Sequence, residues 1–374
     1  MFRRHRWETE DRKTHFVFQW HITDECGQRC RHCYIYGADA AKRPDTMPWE
    51  QLVNVLEMCM RFCGQMYYQP HICLTGGDPL MHPDFWRLAG LLHMERIPFS
   101  ILGNPGHLTD AVCRRLKKLG CTRYQLSIDG LEETHDRFRA PGSYRDTMDK
   151  IAMLNRARIE TAVMTTVSSR NIDEVPAVID AVVAAKAGIY AFGRYCAPSG
   201  ALNDIPPERY RRLLADCTEK IRGLQDAGCK TRFAKKDHLW TLYDYETGCF
   251  QLPADAEKGM LYDGCHCGQS HLTILPNGDV YACRRVHGSK VGHLPEDTFA
   301  DIWLGRMAAY RDLSRFEKCS SCDLLQWCRG CPAVASTKDG NFYAPDPQCW
   351  RTVAPGGGQS EEQPMQEGEK RHDA

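Results

Sequence analysis

Three cysteines, Cys26, Cys30 and Cys33, lie within eight residues and follow directly after the apolar run 16–22. A strand that ends in such a loop brings three thiolates together from one turn. Three thiolates can bind three irons of a cubane [4Fe–4S] cluster and leave the fourth iron open to another ligand, where chemistry can take place. The alternative is a structural zinc site, which needs a fourth ligand, and His32 is the candidate.

A second group of cysteines lies in the last third of the chain. Its centre is a pair of CxxC knuckles, which structural zinc sites also use. A zinc ribbon would leave the other three cysteines of the group without a role, so several iron–sulfur ligands are the better interpretation. The group consists of Cys267, Cys283, Cys319, Cys322, Cys328, Cys331 and Cys349.

Composition excludes several classes of protein. The chain has 374 residues, with Lys+Arg and Asp+Glu balanced at 48 each, so nothing suggests nucleic acid or an anionic membrane as a partner. Neither a run of about 18 apolar residues nor a signal peptide is evident, which predicts a cytoplasmic protein. A reducing compartment favours metal ligation over disulfides for the 20 cysteines. The isolated cysteines are predicted to be small buried core residues: Cys73, Cys113, Cys121, Cys196, Cys217 and Cys229.

The hydrophobic pattern from residue 16 to 195 predicts six strands that alternate with helices, with a loop at 129–142. This alternation favours an α/β fold with a parallel sheet and an active site at the carboxyl ends of the strands. Six βα units are too few for a closed eightfold barrel, so we expect a partial barrel with an open side. The predicted organisation is a lead-in at 1–15, a barrel at 16–205, a bridging helix at 206–230, a cysteine-rich domain at 231–352 and a disordered tail at 353–374.

The order and spacing of Cys26, Cys30 and Cys33 resemble those of the radical S-adenosylmethionine (SAM) enzymes. The Gly76-Gly77-Asp78-Pro79 segment, which ends the second strand, resembles the GGEP motif of the same enzymes, with Asp78 where Glu is usual. The resemblance implies a partial (β/α)6 radical SAM barrel. It also implies that SAM binds the open iron and is cleaved reductively to a 5′-deoxyadenosyl radical, with the three cysteines as the catalytic cluster ligands.

The resemblance also assigns contacts with SAM. Gly76, Gly77 and Asp78 would hold its amino group, although a plain turn would use the same residues. Ser127 and Asp129 resemble the ribose-contacting segment, for which an ordinary strand end with an Asx turn is the alternative. Arg139 resembles the arginine that pairs with the SAM carboxylate, with a surface salt bridge as its alternative. The adenine pocket would use His32 and Tyr34, and Arg194 at the end of the sixth strand could face cofactor or substrate.

The second cysteine group closely resembles the SPASM domain, which binds two auxiliary [4Fe–4S] clusters and brings the expected total to three. One cluster would use Cys267, Cys283, Cys331 and an upstream cysteine, either Cys265 or Cys249, of which Cys265 is preferred because it lies beside Cys267. Two residues precede Cys331 after Cys328, where the family commonly has three, and this departure weakens the assignment of Cys331. The second cluster would use Cys319, Cys322, Cys328 and Cys349.

The family chemistry implied is hydrogen abstraction from a ribosomally made peptide, which makes the chain a candidate peptide maturase. A short segment around the first cysteines resembles maturases that form thioether crosslinks. The alternatives are epimerisation with Cys196 as hydrogen donor, oxidation, a carbon–carbon crosslink, or a non-catalytic iron–sulfur electron carrier. Sulfatase maturation is disfavoured because Arg284 stands where those enzymes have an acidic residue. The expected partners are a peptide or protein substrate and a reductant such as flavodoxin or ferredoxin, with no nucleic acid and no membrane.

Overall fold

The computed structural model describes residues 15–36, 43–196 and 204–353. The predicted lead-in at 1–15 and tail at 353–374 lie outside the described residues, apart from residues 15 and 353.

The described strands form a single ten-stranded sheet in the order β10-β9-β8-β1-β2-β3-β4-β5-β6-β7. Neighbours from β8 through β1 to β7 are parallel, whereas β9 and β10 pair antiparallel at one edge. The strands are β1 His15–Thr23, β2 Gln69–Gly76, β3 Phe99–Leu102, β4 Cys121–Ser127, β5 Glu160–Val167, β6 Ile189–Arg194, β7 Arg232–Ala234, β8 His271–Ile274, β9 Asp279–Tyr281 and β10 Lys290–His293.

Helices connect the parallel strands, as right-handed crossover connections require. The first helix begins directly after Pro48 and buries Leu52, Val55, Leu56 and Cys59 on one face. The helices are α1 Trp49–Met66, α2 Phe85–Met94, α3 Asp110–Lys118, α4 Glu132–Phe138, α5 Ser143–Arg156, α6 Val175–Ala184, α7 Pro207–Asp226, α8 Leu239–Glu246, α9 Phe299–Leu304 and α10 Pro332–Ala335.

The predicted fold class, a parallel α/β sheet followed by a cysteine-rich domain, is confirmed. The structure adds β7 and β8 to the six predicted strands, one at each side of the barrel sheet. The predicted loop at 129–142 is wrong in part, because it contains α4. This helix has too few apolar residues to show a periodic pattern. Its following turn is held by Asp136, whose carboxylate accepts hydrogen bonds from the backbone of Gly142 and Tyr144.

The first strand lies at the centre of the core. Phe16, Phe18, Trp20 and Ile22 alternate along β1 and are fully buried. Each such side chain contributes about 1.5–3 kcal/mol when it is removed from water. The strand that leads into the cysteine loop is therefore among the most firmly held segments of the chain.

The isolated cysteines divide into two groups. Cys73, Cys113, Cys121 and Cys217 are buried, as the sequence predicts for core residues. Cys196 and Cys229 are only partly buried, and all 20 cysteines are free thiols. Within the described residues no helix is both long and apolar enough to cross a bilayer.

Arg194, the last residue of β6, does not face the cysteine loop. Its guanidinium is completely buried and donates to Asp237 at 2.8 Å and to Asp346 at 2.6 and 2.7 Å. The same group donates to the Gln348 side chain at 2.9 Å. This ion cluster joins the barrel sheet to the segment that carries the last cysteines.

We expect Arg194→Met to destabilise the protein, because it leaves two buried carboxylates without their cation. Breaking a buried ion pair costs about 3–5 kcal/mol. For a chain of this length that free energy corresponds to a fall of roughly 4–6 °C in the thermal midpoint.

Anaerobic thermal unfolding followed by circular dichroism measures this effect. The matched control is Arg209→Met, which removes an exposed ion pair with Asp173 and should leave the midpoint nearly unchanged. Equal midpoints for the two variants would contradict the role given to Arg194.

Candidate active site

The three cysteines of the first loop lie at the carboxyl edge of the sheet, directly after β1. Backbone N–H groups of Gln28 and Ile35 point at the sulfurs of Cys26 and Cys33, both at 3.4 Å. The Asn104 side-chain amide, just beyond β3, donates to Cys26 Sγ at 3.0 Å. Burial raises the pKa of the Cys26 thiol, and the N–H donors at its sulfur favour the thiolate and offset part of that rise.

The Gly76-Gly77-Asp78 segment is held against the start of the cysteine loop. The N–H of Gly77 donates to the Thr23 carbonyl at 2.8 Å, and the N–H of Asp78 donates to the Glu25 carbonyl at 2.7 Å. A Cβ on Gly76 would lie 1.9 Å from the Thr23 oxygen, and Gly76 has a φ of +135°. Glycine is therefore required where the two strand ends meet.

The Asp78 carboxylate is buried and only half satisfied. Its Oδ1 accepts from the Leu80 N–H at 3.1 Å, while Oδ2 has no hydrogen-bond partner among the described residues. Burial raises the pKa of Asp78 to about 6. An orphaned buried carboxylate oxygen beside Cys26 is suited to accept a cationic ligand group.

Asp129 is buried at the end of β4 and is completely engaged by protein donors. Its Oδ2 accepts from Arg139 Nε at 2.7 Å and lies 3.3 Å from His32 Nε2, while Oδ1 accepts from the Thr166 N–H at 2.8 Å. Burial alone would raise its pKa, but Arg139 and His32 hold the pKa of Asp129 well below the usual range. Asp129 is thus an ionised anchor that orients the side chains of Arg139 and His32.

Arg139 lies between this anchor and the cysteine loop. With Nε on Asp129, its Nη1 points to Cys30 Sγ at 3.7 Å. The loop is tied to the same turn by a hydrogen bond from the Arg31 N–H to the Phe138 carbonyl at 2.9 Å. His135 supports Asp129 through its ring, and burial with Arg139 nearby lowers the pKa of His135 to about 4, so the ring is neutral at neutral pH. Arg139 is a nearly buried residue rather than part of a surface salt bridge.

Two aromatic residues of the loop border the site. The His32 ring packs edge-on against Phe138 at 5.3 Å and near Tyr195 at 6.5 Å. Tyr34 lies beneath the Arg284 guanidinium at 5.4 Å and near the His21 ring at 6.1 Å. Ser127 ends β4 on the same edge of the sheet, opposite Met164 in the register.

The four ligands predicted for the second auxiliary cluster lie together. Cys319 interacts with Cys322 and Cys349, and Cys328 interacts with Cys319 and Cys349. The Lys318 ammonium donates to Cys349 Sγ at 3.4 Å. The structure thus brings together the four cysteines that the sequence predicts for one cluster.

The cysteines predicted for the first auxiliary cluster are arranged only partly as expected. Cys267 contacts both Cys265 and Cys283, whereas Cys249 is exposed on the loop after α8. Cys331 is in contact with Cys196. The Arg285 guanidinium lies among these thiols, with Nη1 at 3.4 Å from Cys196 Sγ.

Sequence reasoning did not identify Asn104 or Arg285, nor did it predict that His32 and Arg139 bind Asp129. Asn104 follows the carboxyl end of β3. Because active-site residues lie at the carboxyl ends of parallel strands, this position could have identified it. Arg285 follows Cys283 by two residues in a stretch without a motif, and no sequence signal marks it.

Comparison with known proteins places these sites in a family. Residues 20–182 match the model of the Radical SAM superfamily, and residues 265–332 match that of SPASM, an iron–sulfur cluster-binding domain. The AdoMet-dependent heme synthase of Methanosarcina barkeri is 25% identical over 89% of this chain and 95% of its own length. The mycofactocin maturase MftC of Mycolicibacterium smegmatis is 26% identical over 88% of this chain and 81% of its own length.

Among solved structures, SuiB of Streptococcus suis bound to SAM has a similar fold, with a TM-score of 0.70 at 18% identity over 91% of this chain and 78% of SuiB. The two family models together match more than half of the chain, and each falls on one of the two cysteine-bearing regions. The chain therefore has a Radical SAM domain at residues 20–182 and a SPASM domain at residues 265–332, and it is an enzyme of the radical SAM type.

Proposed function

We propose that this enzyme cleaves SAM reductively and uses the resulting radical to take hydrogen from a ribosomally made peptide. The observation that carries the proposal is the pairing of a three-thiol loop with the half-satisfied, buried carboxylate of Asp78 at one edge of the sheet. A [4Fe–4S] cluster with bound SAM supplies a 5′-deoxyadenosyl radical. The other residues at the site would hold the cluster and SAM in position.

The donors present fit this cofactor pair. Cys26, Cys30 and Cys33 offer the soft sulfur ligands that iron–sulfur clusters require, and three of them leave one iron free. Asp78 Oδ2 would accept a hydrogen bond from the SAM ammonium group. The N–H groups of Arg139 that do not bind Asp129 would pair with the SAM carboxylate.

The remaining assignments concern the nucleoside part of SAM. Gly76 and Gly77 would present backbone groups, while Ser127 and Asp129 would line the ribose side. His32 and Tyr34 would border the adenine. Because its carboxylate is already engaged, Asp129 would act chiefly by orienting Arg139 and His32.

Two further [4Fe–4S] clusters would occupy the SPASM domain, for a total of three. Cys319, Cys322, Cys328 and Cys349 would bind one of them. Cys267, Cys283 and Cys331 would bind the other with a fourth thiol, for which Cys265 is the candidate from the sequence. Zinc knuckles would explain only the two CxxC pairs.

A peptide substrate is supported by the relatives. MftC is a maturase, and SuiB has been solved bound to its precursor peptide SuiA. A thioether crosslink is the specific product that the sequence around Cys26 favours, and epimerisation, oxidation and a carbon–carbon crosslink are the other products of this chemistry.

A tetrapyrrole with carboxylate side chains is the second candidate substrate. It is supported by the similarity to AdoMet-dependent heme synthase and by the charge near the first auxiliary thiols. Lys236, Arg285 and His271 lie close enough to interact with one another beside Cys265. Such a pair of cationic side chains beside a histidine is suited to carboxylates.

The electron for cleavage would come from an acidic carrier such as flavodoxin or ferredoxin. A recess of about 780 Å³ opens beside the cysteine loop, and four arginines line it together with three acidic residues. Arg29 and Arg31 stand on the loop itself, so a negatively charged donor would dock next to the cluster.

Replacing Cys26, Cys30 and Cys33 together by Ala should abolish release of 5′-deoxyadenosine from SAM under dithionite. The anaerobic chain should hold about twelve irons, and the variant about eight, because only the loop cluster is lost. Chromatography of the nucleoside and iron analysis measure both quantities.

Cys249→Ala is the control for this triple variant, since Cys249 is exposed and belongs to neither proposed cluster. It should retain full cleavage and all of the iron. Cleavage that survives in the triple variant would refute the assignment, and an unaltered chain with no SAM cleavage would favour the non-catalytic electron carrier.

Asp78→Asn should weaken SAM binding about 10- to 100-fold, because a charge-assisted hydrogen bond to the ammonium group is lost. With a pKa of about 6, Asp78 is neutral at lower pH and ionised at higher pH. The dissociation constant of SAM should therefore fall as the pH rises through about 6, and this dependence should disappear in Asp78→Asn.

Anaerobic equilibrium dialysis measures the affinity. Asp84→Asn, at a partly exposed carboxylate before α2, is the matched control and should bind SAM normally. Identical pH profiles for Asp78→Asn and the unaltered chain would contradict the proposed contact.

The substrate class is tested by adding candidate substrates to the loaded enzyme with SAM and dithionite. We expect a short cysteine-rich peptide encoded beside the gene to increase 5′-deoxyadenosine release and to lose two hydrogens by mass spectrometry. Stimulation by iron coproporphyrin, with no change to the peptide, would instead establish the tetrapyrrole candidate.

A further inference from the structure

We propose that Cys196, which belongs to the barrel rather than to the SPASM domain, supplies the fourth thiolate of the first auxiliary cluster, with Cys267, Cys283 and Cys331. This inference rests on the proposed function insofar as that function places a [4Fe–4S] cluster at these thiols. Cys196 would replace Cys265 as the fourth ligand, so that the barrel would contribute one ligand to an auxiliary cluster.

Five thiols surround the proposed cluster position, one more than a cubane can use. Cys196, Cys265, Cys267, Cys283 and Cys331 pack into one small apolar cluster that is separate from the main core. Cys319 borders the same cluster, but its near neighbours are Cys349 and Cys322 of the second set. One thiol of the five must therefore be left without iron.

Cys196 is joined to this group through Cys331 and Arg285. Its thiol contacts that of Cys331, and Arg285 Nη1 lies 3.4 Å from its sulfur. Arg285 also interacts with Cys283 and Cys331, so one cation lies among three of the four proposed ligands. N–H donors and positive charge around the sulfurs stabilise an anionic cluster.

The position of Cys196 relative to Cys331 is set by a shared carboxylate. Arg194, two residues before Cys196, donates to Asp346 Oδ2 at 2.7 Å, and the N–H of Cys331 donates to the same oxygen at 2.8 Å. Gly330 makes this approach possible, since a Cβ there would lie 2.5 Å from Asp346 Cβ, and its φ is +61°. Such second-layer contacts are typical of ligands that are held ready for metal.

Cys265 is the thiol that fits least well. It is separated from Cys267 by a single residue, and the two thiols are in direct contact. A cubane takes its four ligands from four diverging directions. The Cys265 thiol is hydrogen bonded to His238 as well as to Cys267. Cys196 and Cys331, in contrast, converge from two different chain segments.

The test uses the full chain with Cys26, Cys30 and Cys33 replaced by Ala, so that only auxiliary clusters contribute. This background should hold about eight irons after anaerobic reconstitution. Adding Cys196→Ala should reduce the iron to about four, or leave a three-iron cluster that is paramagnetic when oxidised. Adding Cys265→Ala, or the control Cys249→Ala, should leave about eight irons and the same electron paramagnetic resonance spectrum.

Addition of 2-mercaptoethanol separates a missing ligand from a folding defect. We expect an external thiolate to restore the four-iron spectrum of Cys196→Ala, which a structural role would not allow. An intact cluster in Cys196→Ala, or a loss that the added thiol does not restore, would overturn the proposal. Failure to cleave SAM by the unaltered chain would count against the proposed function but would leave these iron counts unaffected.

Discussion

The buried ion cluster around Arg194 is the constraint on which the arrangement of the two metal-binding regions depends. A completely buried guanidinium contacts Asp237, which precedes α8, and Asp346, which lies between the last two cysteines of the chain. Charges removed from water are tolerated only when geometry and hydrogen bonding are nearly ideal. A shift of the segment that carries Cys331 and Cys349 relative to β6 would therefore be costly, and this contact fixes that segment against the barrel sheet.

Two carboxylates at the edge of the sheet are placed in opposite electrostatic environments. Asp129 is surrounded by donors and stays ionised, and it holds two loop-facing side chains in place. Asp78 is buried with one oxygen unpartnered, and its pKa is raised to about 6. The first is therefore suited to organise the site and the second to receive a ligand. Environment, rather than residue type, separates the two roles.

Much of this could be predicted from the sequence because the strongest signals were local. Apolar strands, a helix that follows Pro48 and cysteines at fixed spacing need no tertiary information, so the six strands and both cysteine sets were predictable. The short helix α4 has no apolar period, and β7 and β8 are three and four residues long, so pattern alone could not find them. The contacts of Arg194 and Cys196 depend on residues about 40 to 150 positions away, which no local spacing reveals.

Because β8 pairs with β1, the cysteine-rich region cannot be removed without altering the barrel sheet. Four backbone positions of β1, Val17 to Trp20, are aligned with β8, and β9 and β10 continue the ladder outward. Deleting the C-terminal third would remove the hydrogen-bonded neighbour of β1, the strand that leads into the cysteine loop. The unpaired strand edge that remains would be prone to aggregation. The strands of the cysteine-rich region thus form one flank of the barrel sheet, and we expect the two regions to fold as one unit.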